Sequence, residues 1–228
     1  MADRVVAVHQ PNYFPWIGYF HKIHESDAFV WLDDVQYTSG SWINRNRLKT
    51  PDGWTWLTVP VENSDDPISQ IRIATQENWR SEHWKTISHN YGAANHYDDW
   101  KQFLRETFDQ EWDCLAPLNR HLVDEVCERL RLETSFVSAA SLGIDAVGSQ
   151  RIAALCDKLD ADVYLCGMGA DEYMDEADFE NVGVRVEYQS FAHPRYEQRF
   201  DGFIPNLSFF DAILNIGAEG ARDMLMAL

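Results

Sequence analysis

His9 closes the apolar run Val5-Val6-Ala7-Val8 and opens the stretch Gln10-Pro11-Asn12-Tyr13-Phe14-Pro15-Trp16-Ile17-Gly18-Tyr19-Phe20. An imidazole with an ordinary pKa near 6.5 can take or give a proton at neutral pH, which makes His9 a candidate acid/base. Gln10, Asn12, Tyr13 and Tyr19 surround it with more amides and phenols than a plain connection needs. The competing reading is a histidine that ties the loop together by hydrogen bonds.

A second constellation pairs Asp33, Asp34 and Gln36 with Asn44-Arg45-Asn46-Arg47-Leu48-Lys49. Two carboxylates at a strand end can orient an amine or sugar hydroxyls. Arg45, Arg47 and Lys49 suit an anion, arginine because its rigid fork grips phosphate or carboxylate with two parallel bonds. The same residues could equally form a salt-bridged hairpin in which the arginines neutralise Asp33 and Asp34.

Two further groups complete the set. Gly167 and Gly169, followed by Tyr173, sit between an apolar strand and a helix, where free backbone N–H groups can face an anion. The spacing is neither the dinucleotide fingerprint nor a P-loop. His193 precedes Pro194, which keeps it extended, with Tyr196 close behind. His9 and His193 in one pocket would make an acid/base pair. His21 and His24 lie three apart, but no Cys, Asp or Glu spacing completes a metal site, so they are read as solvated helix residues. No cysteine has the context of a nucleophile.

These residues need a scaffold that brings them to one edge. The run 5–8 reads as a strand buried on both faces. Residues 28–37 read as a second strand, 54–61 as a strand after an Asp52-Gly53 turn, and 68–73 as a short one. Ser64-Asp65-Asp66-Pro67 reads as a turn. Residues 79–132 show helical periodicity, with Pro117 in the first turn of the last helix. Strands then follow at 136–138, 163–166 and 184–188, and Ser149 is placed as the cap of a helix over 150–159. The alternation predicts an α/β fold, a parallel or mixed Rossmann-like sheet with a mainly helical insertion. One domain over 1–228 is expected, with 79–132 as an insertion or cap.

The chain has 228 residues and a net charge of −18, from 37 acidic and 19 basic side chains. Only five of the basic residues are lysine. Such a surface repels phosphate backbones and anionic bilayers, so nucleic acid is excluded as a partner. Excess Asp over Lys suggests a salt-rich cytoplasm, where screening relieves self-repulsion. No apolar run reaches the length of a membrane span, and no basic-then-apolar leader is visible, so no membrane insertion is expected. Four scattered cysteines without a C-x-x-C pair fit a reduced, cytoplasmic chain. The expected partner is a small anionic or nucleotide-linked substrate; the sequence specifies no cofactor, no metal and no oligomeric state.

Taken together, five ordered motifs resemble the WbqC-like family: His9-Gln10-Pro11-x-Tyr13-x-Pro15-Trp16-x-Gly18-Tyr19-Phe20, Leu32-Asp33-Asp34-Val35-Gln36-Tyr37, Trp42-x-Asn44-Arg45-Asn46-Arg47-x-Lys49, Tyr164-Leu165-x-Gly167-x-Gly169-Ala170-x-x-Tyr173 and His193-Pro194-x-Tyr196. The resemblance implies work in building surface polysaccharides such as O-antigen, on a nucleotide-activated amino sugar, by acyl or aminoacyl transfer. In that setting His9 would be the acid/base, with Tyr19, Asp33, Asp34 and His193 completing the catalytic set. A fainter likeness joins the strand, Pro-rich loop and Gly18-Tyr19-Phe20 to the start of nucleotidylyltransferases. There a histidine stands where this chain has Tyr19, and no Ser/Thr-rich triphosphate motif follows. The alternatives are therefore a nucleotidylyltransferase-like enzyme, or a non-catalytic ligand-binding component of the same pathway.

Overall fold

The computed structural model describes residues 2–62, 65–75, 78–167 and 174–228. Five strands form one parallel sheet: β1 (Val5–His9), β2 (Ala28–Trp31), β5 (Ser135–Ser138), β6 (Val163–Cys166) and β7 (Arg185–Tyr188). Their order is β5-β2-β1-β6-β7. Two more strands, β3 (Arg45–Thr50) and β4 (Gly53–Thr58), make an antiparallel hairpin outside that sheet. The fold is α/β and Rossmann-like.

The sheet is covered on both faces, which is why β1, β2 and β6 are nearly continuous apolar runs. Period-2 alternation sorts their side chains. Ala7, Phe29, Trp31 and Leu165 belong to one apolar cluster, which extends into helices α1 (Ile17–His24), α4 (Leu115–Leu130) and α8 (Phe209–Met226). Val6, Val8, Ala28, Val30, Tyr164 and Cys166 belong to the other, which includes residues of α6 (Gly148–Lys158) and α7 (Glu176–Glu180). Helices α2 (Trp79–Tyr91) and α3 (Tyr97–Asp109) join the first cluster, so residues 79–132 share apolar packing with the hairpin and α8. A four-residue helix α5 (Ala139–Leu142) follows β5.

Several boundaries differ from expectation. The second strand ends at Trp31 rather than 37. Beyond it Asp33 and Asp34 turn to partners on α4 and α6 instead of continuing the ladder. Residues 68–70 form a 3₁₀ turn after Pro67, not a strand, and only isolated bridges at Ile73 and Arg72 survive from the expected pairing. The hairpin loop is Pro51-Asp52, because Thr50 pairs with Gly53. Gly53 is the first residue of β4, at φ 129°, a conformation that excludes most side chains. Ser149 lies inside α6, whose cap position is Val147, and its Oγ accepts from the Asp175 N–H at 2.9 Å. The expected turn over 64–67 falls partly outside the described residues at Ser64.

Candidate active site

The strand order fixes where a ligand should bind. The chain steps outward from β1 to β2 to β5, then returns to the far side of β1 for β6 and β7. Strand order thus reverses between β1 and β6. In open α/β sheets the crevice at the carboxyl ends of such a pair is the preferred ligand site. Here that edge holds His9, at the end of β1, and Gly167, just past β6.

His9 is half-buried, and its Nδ1 lies 2.9 Å from the Gln10 carbonyl. Because a carbonyl can only accept, Nδ1 carries the proton and Nε2 is the basic nitrogen. Nε2 has no hydrogen-bond partner among the described residues. The Tyr19 hydroxyl donates to the same Gln10 carbonyl at 3.1 Å, and its ring meets the imidazole edge-on at 4.8 Å. Burial, reinforced by the Lys22 ammonium, lowers the His9 pKa to about 4. The imidazole is therefore neutral at physiological pH.

Lys22 is the residue that the sequence motifs did not reveal. It lies in α1, and helical side chains lean back toward the helix N-terminus. In this βα unit that direction is the carboxyl edge of the sheet. Its Nζ donates to the Val8 carbonyl at 3.1 Å, and the side chain is 3 % exposed. A Cβ at Gly167 would lie 3.5 Å from that nitrogen. The available signal is a lysine inside an otherwise apolar strand–helix layer, and apolar spacing alone does not distinguish it.

A second locus lies at the other end of the same loop. Trp16, Trp42, Arg47 and Asn206 line a cleft of about 290 Å³. Trp16 lies over the first turn of α1, where any side chain at Gly18 would run into the indole. Arg47 stands opposite Trp56 in the hairpin, and its guanidinium lies 5.1 Å from the Trp54 ring and 5.6 Å from the Trp42 ring. Its Nη2 donates to the Asn206 carbonyl at 2.9 Å. Arg45 packs 4.4 Å over Trp56. Neither arginine forms an ion pair among the described residues, and Trp42 and Trp54 are nearly half exposed. An aromatic surface with uncommitted guanidinium charge suits a ring-bearing anion.

The structure gives other sequence candidates different surroundings. Asp33 is buried and paired with Arg120, and it accepts from the Ser138 hydroxyl at 2.9 Å. Asp34 pairs with Arg151. The salt-bridged hairpin is therefore corrected: α4 and α6, not Arg45 or Arg47, neutralise these carboxylates. Tyr13 is fully buried and hydrogen-bonded to His83 at 2.8 Å. Asn46 clamps the loop by donating to the Phe14 carbonyl at 2.7 Å, and Asn44 donates to Val59 at 2.9 Å. Asn12 is buried, while Gln36 is exposed at an isolated bridge to Pro67. Lys49 is buried and donates to the Phe200 carbonyl at 3.1 Å and to the Gly202 carbonyl. Gly169 and Tyr173 lie outside the described residues.

His193 is held by both nitrogens. Nδ1 lies 2.8 Å from the Pro194 carbonyl, and Nε2 accepts from the Asn206 N–H at 3.0 Å. That geometry ties down the segment bearing Asn206, on the cleft side of the loop. No hydrogen bond or ring contact joins His193 to His9 among the described residues. Tyr196 donates to Asp211 at 2.9 Å, and Tyr91 to the same carboxylate at 2.6 Å. His21 is buried against Phe191 and Gln189 rather than solvated as expected. Among the described residues no three His, Cys, Asp or Glu side chains gather closely enough to hold a metal ion. Among the described residues no helix is long and apolar enough to cross a membrane.

Comparison with known proteins places this geometry in context. A model described as the WbqC-like protein family matches residues 10–223. The uncharacterized protein Rv1507c of Mycobacterium tuberculosis (strain ATCC 25618 / H37Rv) is 35% identical over 218 residues, covering 94% of each chain. No solved structure matches.

Proposed function

This chain belongs to the WbqC-like protein family, and from that premise we propose that it is a transferase acting on a nucleotide-activated amino sugar. Its acyl or aminoacyl transfer would serve surface-polysaccharide synthesis in the cytoplasm. One observation carries the reading. A single segment, residues 9–19, presents His9 at the carboxyl end of β1, beside β6, and Trp16 to the cleft that holds Arg47. A substrate laid along that loop meets a base at one end and an aromatic, cationic surface at the other.

In this scheme the His9 Nε2 takes the proton released when the sugar amine attacks the donor carbonyl, and returns one to the leaving group. A pKa of about 4 keeps it in the unprotonated form that the first step needs. Tyr19 fixes the imidazole through the shared Gln10 carbonyl. Arg45 and Arg47, with the tryptophans they pack on, meet the ring-bearing nucleotide end of the substrate, and Gly167 leaves the β6 edge open. His193 positions Asn206 at the cleft.

Titrating UDP-, dTDP- and GDP-linked amino sugars while following tryptophan fluorescence and product formation tests the reading. His9→Ala should lower turnover by ~10²–10⁴ while leaving binding intact; an unchanged rate would remove His9 from the mechanism. Binding with no turnover across a wide donor screen would assign a ligand-binding role instead. Release of pyrophosphate from a nucleoside triphosphate would assign nucleotidyl transfer. The charge of −18 adds a setting rich in salt, in which the melting temperature rises between dilute buffer and ~1 M KCl.

A further inference from the structure

We propose that Lys22 is an anion-binding residue, holding a phosphate or pyrophosphate group of the ligand at the carboxyl ends of β1 and β6. The chain contains five lysines, and three of them, Lys85, Lys101 and Lys158, are exposed in the ordinary way. The other two, Lys22 and Lys49, are buried to 3 % and 1 % exposure. A lysine-poor chain has thus placed two of its few ammonium groups out of water, where an uncompensated charge is costly.

The two sites differ in how the charge is met. Lys49 donates to two carbonyls, those of Phe200 and Gly202, and the Asp211 carboxylate lies close enough to feel its charge. Among the described residues Lys22 makes one hydrogen bond, to Val8, and forms no ion pair with a carboxylate. Around it stand the His9 imidazole, the Cys156 and Cys166 thiols and the Tyr164 ring at 6.0 Å. An ammonium has three donors. The remaining two have no described partner at the very edge where the fold places ligands. Glycine at 167 adds no side chain to block the approach. Lys49 is a structural cation; Lys22 has the surroundings of a ligand-binding one.

The inference deepens the proposed function, because the anion it places is the phosphate portion of the nucleotide-linked substrate. Its test uses inorganic anions, so the two readings fail separately. Calorimetric titration of the full chain with pyrophosphate should give binding that Lys22→Met weakens by at least ~30-fold. Methionine fills the same volume without charge, so the variant should melt at or above the wild-type temperature. A lysine serving only to anchor Val8 would give the opposite pair: lower stability and unchanged anion affinity. That result overturns the proposal, as does wild-type protein that does not bind pyrophosphate.

Should Lys22→Met fail to fold, the wild-type chain decides. Burial lowers the Lys22 pKa to about 8. Of its neighbours, His9 titrates near 4, Cys156 is pushed up to about 12, and burial raises Tyr164 well above its ordinary value. Sulfate keeps a constant charge over this range. Its affinity should therefore fall as pH rises through about 8, approaching ~10-fold per pH unit once the lysine is mostly neutral. Affinity independent of pH from neutrality to well above 8 overturns the proposal.

Discussion

His9 and Tyr19 aim their donors at a single acceptor, the Gln10 carbonyl, from 2.9 and 3.1 Å. Their rings meet edge to face at 4.8 Å. The tyrosine comes from α1 and the histidine from β1, so the turn between strand and helix is closed by its own functional groups. This contact sets the tautomer of His9 and leaves Nε2 as the basic nitrogen.

Tyr19→Phe isolates that effect, since it keeps the ring and removes only the hydroxyl. The half-buried carbonyl retains the His9 donor, so stability should fall by only about 1 kcal/mol. Turnover should fall ~10-fold with little change in KM, because the imidazole loses a constraint rather than its chemistry. A loss equal to that of His9→Ala would mean that the hydroxyl itself meets substrate.

His83 and His9 make a pH prediction whose sign can be worked out. His83 accepts from Tyr13 through Nδ1 and bonds the Thr58 backbone, and burial lowers its pKa to about 4. His9 is lowered to a similar value. In the unfolded chain both titrate near 6.5, so between about 6.5 and 4 the unfolded state binds more protons. Stability should therefore be complete above about 6.5 and fall as pH drops toward 4, by on the order of 3 kcal/mol for His83. Urea midpoints against pH should show a shallower slope in His83→Asn. An unchanged slope would locate the acid sensitivity elsewhere.

Asp33 separates folding from catalysis. It is 1 % exposed and bound to Arg120, the Ser138 hydroxyl and the Ala140 N–H, joining β2 to α4 and the β5–α5 junction. Asp33→Ala leaves the Arg120 charge without its counterion and should cost about 3–5 kcal/mol. If the carboxylate also orients substrate, turnover measured well below the melting temperature should still be reduced. Full turnover in the folded variant would confine Asp33 to architecture.

How far the sequence reveals this arrangement depends on what each residue's neighbours contribute. The buried strands were legible because β1, β2 and β6 are apolar throughout, a pattern that needs no tertiary information. The end of β2 was not, since Leu32-Asp33-Asp34-Val35 continues the composition of a strand. Only the distant Arg120 and Arg151 pull its carboxylates away. His193 illustrates the same limit at the site. Its proline context implies extended backbone, but the Asn206 N–H that occupies Nε2 lies 13 residues onward. Lys22 reads as one more polar residue on a helix until the sheet above it is assembled.

The hairpin cleft gives the last prediction. Trp42 is 46% exposed and packs on Trp56 at 5.5 Å between ring centres, while Arg47 lies across Trp42, Trp54 and Trp56. An indole left that open contributes little to folding, so Trp42→Ala should change stability by only about 1 kcal/mol. Large aromatic side chains beside a cleft dominate binding when a ligand covers them, so the same variant should weaken nucleotide-sugar affinity ~10-fold or more. Arg47→Lys keeps the charge but loses the planar fork that spans the tryptophans and reaches Asn206. It should weaken the same ligands and leave pyrophosphate binding at the carboxyl ends of β1 and β6 unchanged, since that anion meets Lys22. Equal loss of both ligands in Arg47→Lys would merge the two loci into one site; unchanged nucleotide-sugar affinity in both variants would remove the cleft from substrate recognition.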